Sequence, residues 1–135
     1  MPRNQKFILL ADDDREDIEL LEEAILQIEP DTKIHSVING SMVLDFLESC
    51  QELPNLIILD YNMSEMNGAE VLLRLGKNSR FENIPKIIWS TSNNEAFVRE
   101  CMERGASAYL VKPSTNQQLQ QQARQVLGMC KVSAS

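Results

Sequence analysis

A chain of 135 residues, 43% hydrophobic and 24% charged, has the size and composition of one globular domain with a real core. Its formal net charge of −7 argues against a nucleic-acid surface, which needs a basic face. No run approaches the roughly eighteen apolar residues that mark a membrane span, and no signal peptide precedes the first apolar segment.

Lys6–Ala11 (KFILLA) is an apolar run that stops at three carboxylates, Asp12, Asp13 and Asp14. A short run of this kind predicts a buried strand. Ile18, Leu21, Ile25 and Ile28 then recur at helical spacing, which predicts an amphipathic helix over roughly Arg15–Glu29, ended by Pro30. Eight of the twenty acidic residues fall between Asp12 and Glu23, and part of that clustering suits a helix N-terminus. Thr32–Ile38 alternates loosely, as a strand near a sheet edge does. Asn39-Gly40 marks a turn, and Ser41 is the expected cap of a second helix carrying Val43, Leu44, Phe46 and Leu47.

Leu56-Ile57-Ile58-Leu59 is the central apolar run, and it ends at a single carboxylate, Asp60. An ionised group there costs free energy unless it is paired or bound to a cation. A short helix is expected over about Ala69–Leu75, closed by Gly76. Lys86–Ser90 predicts a fourth strand that ends in hydroxyls. Asn94–Arg104 predicts a helix stopped by Gly105, and Ala108–Val111 a fifth strand closed by Lys112-Pro113. A last helix starts near Ser114 or Thr115 and shows Leu119, Ala123, Val126 and Leu127 before Gly128; its other face is rich in glutamine.

Strands alternating with helices predict an α/β domain: five βα units, doubly wound around a five-stranded parallel sheet. Ligands and chemistry gather beyond the carboxyl ends of such strands. Asp12, Asp13, Asp60, Ser90 and Lys112 then collect at one edge. Clustered carboxylates with room for water suit Mg²⁺, and a lysine beside them suits a phosphoryl group. Aspartate is a covalent phosphoryl acceptor. The set predicts one divalent ion, one nucleophilic aspartate and two groups for the phosphoryl oxygens. The lone His35 and Trp89 have structural explanations, and the three cysteines, without a Cys-x-x-Cys pair, suit a reducing cytoplasm.

With these residues in order along nearly the whole chain, the sequence resembles the receiver domain of response regulators in two-component signalling. The acidic pair matches Asp12-Asp13, and the phosphoacceptor loop matches DYNMSEMNG from Asp60. The switch hydroxyl matches Ser90, the aromatic switch Tyr109, and the Lys-Pro pair with its usual cis peptide Lys112-Pro113. The stretch NGSMVLDFL resembles the single-domain regulators that accompany bacterial phytochromes. Ser64 and Asn67 depart from the usual proline and aspartate without removing a phosphoryl or metal contact.

The resemblance implies a flavodoxin-like sheet of order 2-1-3-4-5, a single receiver domain over 1–135 and no attached output domain. It implies Mg²⁺ held by Asp13, Asp60 and the backbone carbonyl of Asn62, with Asp12 acting through water. A sensor histidine kinase or phosphotransfer protein would donate to Asp60, and Lys112 and Ser90 would take phosphoryl oxygens. Tyr109 would rotate inward and alter a face read by a downstream protein or a second copy of the chain. Such a domain is a phosphoacceptor rather than an enzyme, at most dephosphorylating itself slowly. The same residues leave room for a phosphorylation-independent interaction domain. An aspartyl-nucleophile phosphatase fits less well, because its second aspartate would stand at Asn62.

Overall fold

The computed structural model describes residues 5–131. Three apolar runs build the centre of the sheet because none of them contains an exposed position: β1 (Phe7–Ala11), β3 (Leu56–Leu59) and β4 (Lys86–Ser90). β2 (Lys33–Val37) and β5 (Ala108–Val111) are partly exposed and form the two edges. All pairings are parallel, in the order β2-β1-β3-β4-β5. Parallel strands need crossover helices, so both faces of the sheet are covered.

Side chains alternate between those faces. Leu9, Ala11, Ile57, Leu59 and Ile88 pack toward α2 (Gly40–Ser49), α3 (Gly68–Leu75) and α4 (Glu95–Glu103). Ile8, Leu10, Ile58, Ile87 and Trp89 pack toward α1 (Arg15–Ile28) and α5 (Asn116–Met129). The one charged residue within the central strands, Lys86, is buried because its Nζ donates to the Phe81 and Ile84 carbonyls, each at 2.8 Å.

Every helix starts at a side chain that accepts from its first turn: Asp14, Asn39, Asn67, Asn94 and Thr115. The second helix therefore departs from expectation. Asn39, not Ser41, is its cap; the Asn39 carboxamide accepts from the Met42 amide at 2.9 Å, and the Ser41 hydroxyl donates to that same oxygen. The last helix runs through Gly128 to Met129, because burial of Val126 and Leu127 holds its final turn against the sheet. Of the expected helix-ending glycines, Gly105 is left-handed at φ 103°, whereas Gly76 stays helical at φ −65°. The span before β4 holds a 3₁₀ turn, Ser79–Phe81, that buries Phe81. The Lys112-Pro113 peptide is trans, as are all peptide bonds among the described residues. That corrects the cis peptide implied by resemblance, and trans is the intrinsically favoured isomer of an X-Pro bond.

Candidate functional site

Sheet register brings the first carboxylates together. The Asp60 amide donates to the Ala11 carbonyl at 2.9 Å, and Ala11 lies opposite Leu59. Asp12 and Asp60, each one residue beyond its strand, therefore sit side by side. Asp12 is fully buried and Asp60 nearly so, while Asp13 is exposed. One oxygen from each of Asp12, Asp13 and Asp60 lies within 4.8 Å of the others.

Lys112 enters the same space from the end of β5. Its amide donates to the Ser90 carbonyl at 2.8 Å, which ties the chain ends of β4 and β5 together. Its side chain is 8% exposed, and Nζ donates to Asp17 Oδ2 at 2.7 Å and to Asp60 Oδ2 at 3.0 Å. Asp12 Oδ2 is also close to Nζ, at 2.8 Å, but has no hydrogen-bond partner. The contact is an ion pair without a directed bond. Trp89 walls the pocket, with its ring centroid 5.1 Å from Nζ, a cation–π distance.

Charge follows from this geometry. Burial pushes the Asp12 carboxyl up to about 7; Lys112 and the Asp14 amide pull the other way, and the Asp60 charge adds to the rise. Burial alone would lower the Lys112 ammonium, but hydrogen bonds and charges from its carboxylate neighbours outweigh it and hold it above the ordinary lysine range.

The residues present fit a hard divalent cation. Three carboxylates converge, the donors are all oxygen, and Asp12 Oδ2 is buried with no hydrogen bond of its own. Asn62 borders the group: its amide donates to Asp60 Oδ1 at 3.3 Å.

Ser90 is fully buried at the end of β4, and its hydroxyl accepts from the Ser92 amide at 3.3 Å. Tyr109 is half-buried, with its hydroxyl donating to the Ser92 carbonyl at 2.7 Å. The loop after Asp60 is shaped by two backbone features. Glu65 adopts φ 73°, a left-handed conformation rare for a side chain of its kind. Gly68 presses on Asp60 itself, since a Cβ there would lie 2.5 Å from the Asp60 carbonyl oxygen.

Asp17 and Tyr61 belong to this neighbourhood although sequence reasoning passed over both. The acidic cluster hid Asp17, yet its position carries a signal. Asp17 shares the helical phase of Leu21, Ala24 and Ile28, so it stands at the inward edge of α1. Tyr61 is a buried residue with one polar contact, to Glu100 on α4.

Comparison with known proteins agrees with this arrangement. Residues 8–124 match the family described as the response regulator receiver domain. The two-component response regulator ORR13 of Oryza sativa subsp. japonica is 31% identical over 106 residues, covering 78% of this chain and 85% of the relative. Response regulator Rcp1 of Synechocystis is 32% identical over 112 residues, covering 79% and 76%. Among solved structures, the phosphorylated cyanobacterial phytochrome response regulator RcpA superposes with a TM-score of 0.87 at 25% identity, covering 96% of this chain and 99% of that one. The Mn²⁺-bound form of Rcp1 superposes with a TM-score of 0.83 at 28% identity, with the same coverage. A matched receiver profile over most of the chain, two regulators above 30% identity and the parallel sheet in its receiver order together place the chain in the family of response regulator receiver domains.

Proposed function

We propose that the protein is a single-domain response regulator that accepts a phosphoryl group on Asp60 in the presence of Mg²⁺. The observation that carries this reading is the Lys112 ammonium hydrogen-bonded to Asp60 beside the converging oxygens of Asp12, Asp13 and Asp60. The related Rcp1 has been solved with Mn²⁺ bound and RcpA in a phosphorylated form, which supports the same use of the same edge here.

Asp13, Asp60 and the Asn62 carbonyl would hold the ion, with Asp12 reaching it through water. When bound, it neutralises carboxylate charge and draws electron density from the phosphoryl oxygens. The donor would be a phosphohistidine of a sensor kinase or phosphotransfer protein. A carboxylate oxygen of Asp60 forms the O–P bond as the P–N bond breaks. The bonding pair stays on the imidazole nitrogen, and the ring, protonated on its other nitrogen, leaves neutral. Lys112 then meets a phosphoryl oxygen, and the Ser90 hydroxyl donates to another. Slow attack of water on phosphorus would restore Asp60 and release phosphate.

The switch would begin at Ser90. Its inward turn changes the space beside Tyr109, whose bond to the Ser92 carbonyl is the contact that has to give. A downstream protein or a second copy of the chain would read the altered face of α4, β5 and α5. No described helix is long and apolar enough to cross a membrane. The free cysteines fit a cytoplasmic setting, and burial pushes the Cys101 thiol up to about 11, far from a reactive thiolate.

The test is phosphorylation by acetyl phosphate with Mg²⁺. Intact-mass measurement should show one phosphoryl group, stable to acid and labile to base, and Asp60→Asn should not acquire it. Equal labelling of Asp60→Asn would remove the assignment. No labelling of the wild type by either acetyl phosphate or a phosphorylated histidine kinase would favour the phosphorylation-independent domain instead.

A further inference from the structure

Lys112 has two directed hydrogen bonds, and only one of them is to the reacting group. The other, shorter one is to Asp17 at 2.7 Å. Asp17 stands in the first turn of α1, outside the group formed by Asp12, Asp13 and Asp60. It is 25% exposed on its side chain, so it keeps its own contact with water. It also borders a cleft of 180 Å³ with Leu20, Trp89, Pro113 and Ser114, the solvent side of the ammonium.

We infer that Asp17 is a positioning residue for the phosphoryl site: it holds the Lys112 ammonium in place while the carboxylate bonded to that ammonium is consumed. The inference rests on the proposed phosphoacceptor role of Asp60. As the O–P bond forms, Asp60 gives up carboxylate charge and Lys112 loses its full partner there. Asp12 Oδ2 lies 2.8 Å from Nζ without a directed hydrogen bond, and Asp12 belongs to the carboxylate group that converges on the cation, so it is a poor substitute for that bond. The Asp17 bond is untouched by the chemistry. It anchors the lysine before, during and after transfer, and it spares the ordering of a long, flexible side chain at the moment of reaction.

A one-residue anchor has a sharp test with two separate measurements on the full chain. The first is acetylation of lysines by acetic anhydride, mapped by mass spectrometry without any phosphodonor. In the wild type Lys112 should be protected, Lys33 labelled as an exposed reference (54% exposed side chain), and Lys86 protected as a reporter of the intact fold. In Asp17→Ala, Lys112 should become at least about fivefold more reactive relative to Lys33, while Lys86 stays protected. The second is phosphorylation by acetyl phosphate with Mg²⁺. Asp17→Ala should lower the rate at saturating donor by about tenfold, with less than about threefold change in the donor concentration for half-maximal rate. Asp17→Asn keeps the shape and an acceptor oxygen, and it should recover most of both properties. If Lys86 becomes labelled in Asp17→Ala, Asp17→Ser carries the same expectations.

Unchanged protection of Lys112 overturns the inference. So does lost protection with an unchanged saturating rate, since the contact would then be structural only. A wild type that takes no phosphoryl group defeats the proposed function and with it any role of Asp17 in transfer, while the acetylation result still decides whether Asp17 holds Lys112.

Discussion

The Tyr61 hydroxyl donates to Glu100 Oε1 at 2.8 Å, joining the residue after the proposed phosphoacceptor to helix α4. The Tyr61 ring also stacks on Phe97, with centroids 4.3 Å apart and 11° between planes. Glu100 in turn faces Arg104 at 3.2 Å, and Arg104 donates to the Ala69 carbonyl on α3. A displacement of the Asp60 loop is thus felt by two helices through bonded contacts, in parallel with any movement of Ser90 and Tyr109. Burial, with the Glu100 hydrogen bond second, pushes the Tyr61 phenol up to about 12, so it stays a donor throughout the physiological range.

Tyr61→Phe keeps the stacking and removes only the hydroxyl, so it isolates the bond. It should cost about 1 kcal/mol in urea denaturation, the net worth of a hydrogen bond to a charged acceptor that water partly replaces. Tyr61→Ala also removes the buried ring and should cost about 3 kcal/mol or more. Equal midpoints for wild type and Tyr61→Phe would mean that water substitutes fully for the phenol at Glu100.

Asp12 makes stability and metal affinity run in opposite directions with pH. Burial raises its folded pKa to about 7 from an ordinary 3.8. Between those values the native state binds the proton and the unfolded chain does not. Stability from this group is therefore complete below pH 4 and is lost as pH rises through about 7. Without divalent cations, denaturant midpoints should fall between about pH 4 and 7, with a slope of at most ~1.4 kcal/mol per pH unit, and level off above about 7. Asp12→Asn cannot ionise and should flatten that segment. Mg²⁺ favours the ionised carboxylate, so its affinity should rise with pH until about 7 and level off above it. The same pH slope in wild type and Asp12→Asn would assign the dependence to other groups.

Much of this was legible from residues in order. The apolar runs before Asp12, Asp60 and Ser90 announced strands because a strand buried on both faces is apolar at nearly every position, with Lys86 the charged exception at the start of β4. Parallel connectivity then put their ends on one edge. Lys112 was legible through the same logic. Asp17 was not, since recognising it requires both its helical phase and the knowledge that α1 lies beside the end of β5. Tyr61 gave no periodic signal, because one residue beyond a strand contacts whatever helix happens to pack over it. Asn39 and Ser41 are both good caps, and only backbone geometry chose between them. Gly128 looked like a stop until the packing of Val126 and Leu127 carried α5 past it.

Gly68 is where the proposed site and the fold constrain each other most tightly. A Cβ there would meet the Asp60 carbonyl oxygen at 2.5 Å and the Tyr61 Cα at 3.2 Å, and both neighbours are backbone. The Gly68 amide meanwhile donates to the Tyr61 carbonyl at 2.8 Å, so α3 cannot back away without breaking that bond. Gly68→Ala should therefore destabilise by about 1–3 kcal/mol, the range for overpacking a close contact. It should also slow phosphorylation of the fraction that folds, because the atom pushed belongs to the proposed acceptor. Gly128→Ala is the matched control: nothing lies within 4 Å of its added carbon, and alanine favours the helix. That variant should be neutral or stabilising by up to about 1 kcal/mol and should take phosphate like the wild type. Urea midpoints and acetyl phosphate labelling of the two variants side by side decide the matter; a Gly68→Ala protein as stable and as active as Gly128→Ala would show that the loop yields freely.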